Sequence, residues 1–127
     1  MKILLDTHIL LRAANQTLEP SRLELLESPA AKLFVSCISL WEITKLVEHQ
    51  RIAIEEGLDY FLERVYLGSK YSIVDLLPEV LLLIPSIAKK IGKDPADQII
   101  VATAIYLSAK LMSDDEKIHE SRLIPML

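Results

Sequence analysis

Lys2-Ile3-Leu4-Leu5-Asp6-Thr7-His8-Ile9-Leu10-Leu11 directly follows Met1. Ile3 to Leu5 is an apolar run with no polar alternation, stopped by an acid. That pattern suits a short strand covered on both faces, as in a parallel sheet. Parallel strands need crossover connections, usually helical, and the rest of the sequence supplies them. Thr7–Ala14 continues as a short helix, and Pro20–Ser28 reads as a second with Leu23, Leu25 and Leu26 facing inward. Leu33–Cys37 reads as the second strand. A helix follows from Ser39 to about Gln50, with Leu40, Ile43, Leu46 and Val47 at helical spacing. Glu55–Val65 is a further helix with Leu58, Phe61, Leu62 and Val65 as its apolar stripe. Ser72–Leu76 is the third strand, and Pro78–Lys90 is helical but kinked or split at Pro85.

Asp94–Ala109 contains the run Ile99-Ile100-Val101-Ala102-Thr103-Ala104-Ile105, whose β-branched residues favour strand by propensity alone. Its length and the Asp94-Pro95 start signal outweigh that and predict a helix buried almost all round. Leu111–Ser113 is a fourth strand and Leu123–Met126 a short fifth. The alternation predicts an α/β fold, a three-layer α/β/α sandwich around a central, mainly parallel sheet of four or five strands, with residues 1–127 forming one domain. In such a sheet the strand C-termini share one edge, and ligands bind there.

The composition agrees. Of 127 residues, 51% are hydrophobic, enough for a real core and too many for a disordered chain. One Cys excludes an internal disulfide and suits a reducing compartment. Uncharged stretches run from Ile99 to Ala109 and from Val80 to Ala88. Both fall short of the roughly 18 to 20 apolar residues of a membrane span. Asp6 interrupts the first apolar run, so no secretory signal forms. A soluble, cytoplasmic protein is expected.

The net charge of −4 argues at first against nucleic acid. The acidity is local, however. Setting aside Asp6, Glu42, Asp94, Asp97, Asp114 and Asp115 leaves 12 of the 18 acids against 14 bases. These six acids follow the first strand, open the helix after the second, open the long helix, or follow the fourth strand, so all are expected near the same sheet edge. Each also fits helix capping: Asp6 before Thr7, Ser39 with Glu42 as a capping box, Asp94 with Asp97, and Ser113 or Asp114 before a following helix. Their convergence is harder to explain by capping. Two like charges about 6 Å apart repel by roughly 2–3 kcal/mol at an effective dielectric near 20. A divalent cation relieves that cost, and an all-carboxylate set without His or Cys suits Mg²⁺ or Mn²⁺ and not Zn²⁺. Such a cation retains waters and takes phosphate oxygens, the arrangement for metal-assisted phosphodiester hydrolysis.

At this point four segments in order resemble PIN-domain ribonucleases: Leu4-Leu5-Asp6-Thr7-His8-Ile9-Leu10-Leu11, Ser39-Leu40-Trp41-Glu42-Ile43, Asp94-Pro95-Ala96-Asp97-Gln98-Ile99-Ile100-Val101-Ala102 and Leu111-Met112-Ser113-Asp114-Asp115. No single motif is specific, but four in order are, and they cover essentially the whole chain. The length is similar to VapC-type toxins of bacterial and archaeal toxin–antitoxin pairs. The resemblance implies a metal-dependent endoribonuclease in which Asp6, Glu42, Asp97 and Asp115 are the four acidic positions around one or two Mg²⁺ or Mn²⁺ ions. Asp6 and Asp97 are then direct ligands. Asp115 is a ligand or an anchor behind one, and Glu42 binds a second metal or orients the attacking water. Ser113 supports the site through its hydroxyl, with Thr7 and Asp94 beside it. The resemblance further implies homodimers and a small cognate antitoxin whose tail occupies the groove. Two positions depart from the pattern: Gln98 stands where a basic residue is common, and Arg12 where Trp is. Asp114 beside Asp115 leaves the fourth position ambiguous by one residue, and Asp115 is preferred because Ser113 then takes the hydroxyl place.

Lys45, one turn after Glu42, is a candidate for RNA phosphate or else pairs with Glu42 or Glu48; Arg12 and Lys93 are similar candidates. His8 could touch substrate but reads better as a surface residue, as do His49 and His119. Cys37 reads as a buried structural thiol. Trp41 reads as a packing residue, with stacking on a base as the alternative. Two competing functions remain: a non-catalytic PIN-like module binding RNA or protein, with the acids only capping helices, and a phosphoryl-transfer or receiver-like domain. The latter ranks low because His8 stands where a dehalogenase-type site needs its second Asp.

Overall fold

The computed structural model describes residues 1–127. Its elements are β1 (Lys2–Leu5), α1 (Thr7–Ala14), α2 (Pro20–Glu27), β2 (Lys32–Ser36), α3 (Cys37–Glu48), α4 (Leu58–Leu67), β3 (Tyr71–Val74), α5 (Pro78–Leu81), α6 (Ile84–Ile91), α7 (Pro95–Leu107), β4 (Lys110–Met112) and α8 (Glu116–Ser121). The four strands form one sheet in the order β3-β2-β1-β4, and every pairing is parallel. Ile3 to Leu5 stand opposite Leu33 to Val35 on one side and Lys110 to Met112 on the other.

The period-two geometry of a strand splits the core. Ile3, Leu5, Leu33, Val35 and Met112 face α1–α4, where Phe61 and Val65 fill the centre. Leu4 and Leu111 face the other layer, built on Val80, Ile87, Ile91, Ile100, Val101 and Ile118. Burial on both faces is why β1 reads as an unbroken apolar run. Chain order runs from β1 to β2 and β3 on one side, then crosses to β4 on the other. The strand order therefore reverses beside β1, and a crevice opens at the C-terminal ends of β1 and β4.

Several expectations need correction. Leu123–Met126 is not a strand: it makes one parallel bridge, Leu111 with Met126. Pro125 has no N–H to extend a ladder, so the sheet has four strands. Helix α3 begins at Cys37 and is capped by Ser36, which accepts from the Ile38 N–H at 3.2 Å. Ser39 lies inside the helix and is buried, so Ser39 and Glu42 form no capping box. Cys37 is half-buried at the helix start and not in the strand. The split expected at Pro85 is present: the segment from Pro78 divides into α5 and α6, and Pro85 sits in the first turn of α6, where a proline needs no helical donor. In α2, Leu26 is buried but Leu23 is exposed.

Candidate active site

Four segments deliver acids to the crevice. Asp6 directly follows β1 and caps α1: its Oδ1 accepts from the Thr7 N–H at 2.7 Å. Asp94 caps α7, accepting from the Ala96 N–H at 2.9 Å and the Asp97 N–H at 3.3 Å. Asp115 caps α8, accepting from the Ile118 N–H at 3.0 Å. That cap falls one or two residues later than the expected Ser113 or Asp114. Glu42 projects from the second turn of α3 and Asp97 from the first turn of α7. Capping thus accounts for one oxygen of each of three carboxylates. It accounts for neither Glu42 nor Asp97, and the Asp97 carboxylate accepts no hydrogen bond from the protein.

Asp6, Thr7, His8, Arg12, Glu42, Asp94, Asp97, Asp114 and Asp115 line a cleft of about 330 Å³ with no apolar side chain on its walls. Ser113, fully buried, ties two of its segments together: its Oγ donates to Asp6 Oδ2 at 2.5 Å and accepts from the Asp115 N–H at 3.0 Å. Thr7 donates to Glu42 Oε1 at 2.5 Å and shares a hydrogen bond with buried Ser39 at 2.9 Å. The fixed hydroxyls hold Asp6 and Glu42 on either side of the start of α1.

The electrostatics divide the acids into two groups. Asp114 lies against Arg12 at 2.5 Å and Arg22 at 2.8 Å, and their hydrogen bonds hold its carboxyl below the usual range. It is neutralised within the protein. Asp97 is the opposite case. Burial, then the charges of Asp94, Asp115, Asp6 and Glu42, push its carboxyl up to about 7. Glu42 is also raised, by burial first and by Asp6 and Asp94, against the lowering hydrogen bond from Thr7. Asp97, Glu42, Asp6, Asp94 and Asp115 are therefore a negative cluster, and Arg12, the one arginine on the cleft wall, is already paired with Asp114.

The donor set is hard oxygen, which fits Mg²⁺ or Mn²⁺. No three of these side chains form a preset cage for an ion; they line an open cleft. Mg²⁺ keeps several of its waters and needs only one or two carboxylates, so an open cleft with spare carboxylate oxygens suits it.

The basic residues singled out in the sequence are dispersed. Arg12 stands on the cleft rim in its pair with Asp114. Lys45 pairs with Glu48 at 2.9 Å and lines a neighbouring hollow with His8, Trp41, His49 and Arg51. Lys93 is exposed, next to Asp94. Trp41 is 58% exposed, which overturns its reading as a packing residue. Sequence reasoning missed Arg22, which binds Asp114 and the Leu127 carbonyl at 3.1 Å, because nothing local signals a contact across so much chain. It also missed Ser39 as a buried partner of Thr7. No helix is long and apolar enough to cross a membrane.

A parallel α/β sandwich with carboxylates gathered past β1 and β4, at the reversal of strand order, defines an acid-cleft class of α/β domain. The chain belongs to the PIN domain family, whose sequence model matches residues 3–122. It is 30% identical to Ribonuclease VapC22 of Mycobacterium tuberculosis, across 94% of this chain and 92% of that protein. Its fold is that of a chain in the crystal structure of VapBC2 from Rickettsia felis bound to a promoter DNA fragment, at a TM-score of 0.76 and 20% identity, covering 100% of this chain and 98% of that one. A chain of VapBC-1 from nontypeable Haemophilus influenzae is similar at a TM-score of 0.71 and 19% identity, covering 100% and 97%.

Proposed function

We propose that the protein is a divalent-cation-dependent endoribonuclease and the toxin of a type II toxin–antitoxin pair. The observation that carries the reading is Asp97, a half-buried carboxylate without a hydrogen-bond donor, facing four other acids. A bound divalent cation balances that arrangement where a proton on Asp97 otherwise would. The ribonuclease relative and the toxin–antitoxin complexes among the structural neighbours support the same reading.

Asp6, Asp97 and Asp115 would hold Mg²⁺ or Mn²⁺; of the adjacent pair, Asp115 is assigned because Asp114 is already neutralised by Arg12 and Arg22. When bound, such a cation polarises the phosphoryl oxygens and lowers the pKa of water. Glu42, with one oxygen held by Thr7, has the other free to orient an attacking water. Asp94 fixes the backbone that carries Asp97, and Ser113 fixes Asp6. Lys45, Lys93 and Arg12 would contact phosphates flanking the cut. Antitoxin binding and homodimer formation belong to the same proposal.

The helix caps favour a second reading, a non-catalytic PIN-like module whose acids serve only structure. The two are separated by incubating purified protein with structured and total RNA while Mg²⁺ or Mn²⁺ is titrated. Cation-dependent cuts, lost in EDTA and in Asp6→Asn and Asp97→Asn proteins that remain folded, are expected. Full cleavage by those variants would sink the assignment. Metal binding with no cleavage would favour the module.

A further inference from the structure

We propose that the apolar hollow beside the carboxylate cleft takes one unpaired nucleobase of the RNA, stacked on Trp41, and thereby sets the adjoining phosphodiester against the carboxylates. The inference rests on the ribonuclease reading above and adds to it a base subsite.

Three hollows adjoin along the sheet edge, and Glu42 lines all of them. One holds Lys45, His49 and Arg51 and has Trp41 in its wall. The second, of about 550 Å³, shares Trp41 and Glu42 with the first and is walled further by Cys37, Ile38, Leu76, Pro95 and Ala96, with Glu42 and Asp94 on its border with the cleft. Trp41 and Leu76 stand 58% and 45% exposed there. Large apolar groups left in water beside a polar cleft are placed to cover a ligand that enters it.

Charge decides which part of a strand goes where. The apolar hollow has no cation on its walls and two carboxylates at its mouth, so a phosphate is repelled from it. The adjoining hollow carries the cations, so the backbone runs toward Lys45 and Arg51. Trp41 and Glu42 line both hollows, so a nucleotide whose phosphate lies in the cleft beside Glu42 has Trp41 next to its base. Base–aromatic stacking stabilises by an amount that every base can provide, which gives a grip without strict sequence choice. A base paired within a duplex is stacked on its neighbours and cannot enter.

Trp41 is the only tryptophan, so its emission reports directly on this hollow. The experiment titrates the folded Asp97→Asn protein, in Mg²⁺, with a single-stranded oligoribonucleotide that the wild type cuts. The same oligonucleotide lacking one base beside the scissile phosphate is the comparison, and binding is followed in parallel by anisotropy. Saturable quenching of Trp41 is expected, lost with the abasic strand, which binds about tenfold more weakly. In cleavage by otherwise wild-type protein, Trp41→Ala should lose about tenfold in kcat/KM and Trp41→Phe much less. Removing the base should cost nothing further in Trp41→Ala, the signature of one shared contact. If RNA is bound and cut while emission stays constant and Trp41→Ala cuts normally, the base subsite is wrong and the ribonuclease reading stands. If RNA is neither bound nor cut, both fall. If Trp41→Ala instead dissociates a dimer in sedimentation and leaves cleavage untouched, the hollow is a protein interface and the base subsite is overturned.

Discussion

Asp97 has the most consequential environment in the molecule. Its carboxyl titrates near 7 when folded, against 3.8 for an unperturbed aspartate. The folded state therefore holds that proton more tightly than the unfolded state does. Its stabilising effect is complete below about pH 4 and is lost as pH rises through about 7. The metal-free protein should accordingly melt at lower temperature at pH 8 than at pH 5, so far as this group governs. Asp97→Asn should flatten that dependence and raise the melting temperature at pH 8. Thermal melts in EDTA across pH check both; a wild-type profile indifferent to Asp97→Asn would contradict them. Because a ligand carboxylate must be ionised, Mg²⁺ affinity measured by calorimetry should rise with pH between about 6 and 8. Ser113 acts behind the acids. Ser113→Ala leaves Asp6 and the Asp115 N–H without their shared hydroxyl. It should cost about 1–3 kcal/mol in denaturant unfolding and about 10- to 100-fold in metal affinity. At this scale the acids were legible because each sits in a motif. Trp41 was not: its neighbours Leu40, Ile43 and Val47 pack inward, and only the assembled helix shows that Trp41 faces away from them.

Helix α7 does two jobs that conflict in its sequence. Its body is buried from Ile99 to Ala104 between sheet and helices, which requires β-branched bulk, and its first turn must present Asp97 to water. The Asp94-Pro95 start reconciles them by fixing where the helix begins. The approach to that start depends on Gly92, which ends α6 at φ +99° and whose carbonyl accepts from the Gln98 side chain. A Cβ there would also press on Lys117. Gly92→Ala should cost about 1–3 kcal/mol, chiefly from the backbone conformation. It should lower metal affinity as well, because Asp94 and Asp97 move together with this turn. Urea unfolding and metal titration of the variant check this, and wild-type values in both would refute it. Element type was readable almost throughout, from hydrophobic period. The boundaries that failed did so for local reasons: Ser36 competes with Ser39 as a cap, and Pro125 forbids a ladder that the apolar pattern of Leu123–Met126 suggests.

For the whole molecule, the sheet order places β1 centrally, so the residue after β1 and those after β4 meet where the connectivity reverses. The fold was legible because three of the four strands are apolar runs flanked by helices. The Lys45–Glu48 pair was one of the alternatives readable from helical spacing, whereas the pairing of Arg12 with Asp114 was not, since those partners meet only after folding. A cation that binds only the folded cleft should stabilise it by about 2.7 kcal/mol at a hundredfold excess over its Kd. That gain should vanish in Asp97→Asn. The most direct measurement of the central claim cuts a defined oligoribonucleotide in ¹⁸O-water with Mg²⁺ and weighs the fragments. Water held among these carboxylates should leave ¹⁸O on the newly formed terminal phosphate and no 2′,3′-cyclic phosphate, and EDTA should stop the reaction. A cyclic phosphate product would show that the ribose 2′-OH attacks and not a water held among these carboxylates, and cutting that persists in EDTA would show that no cation is needed; either result contradicts the account.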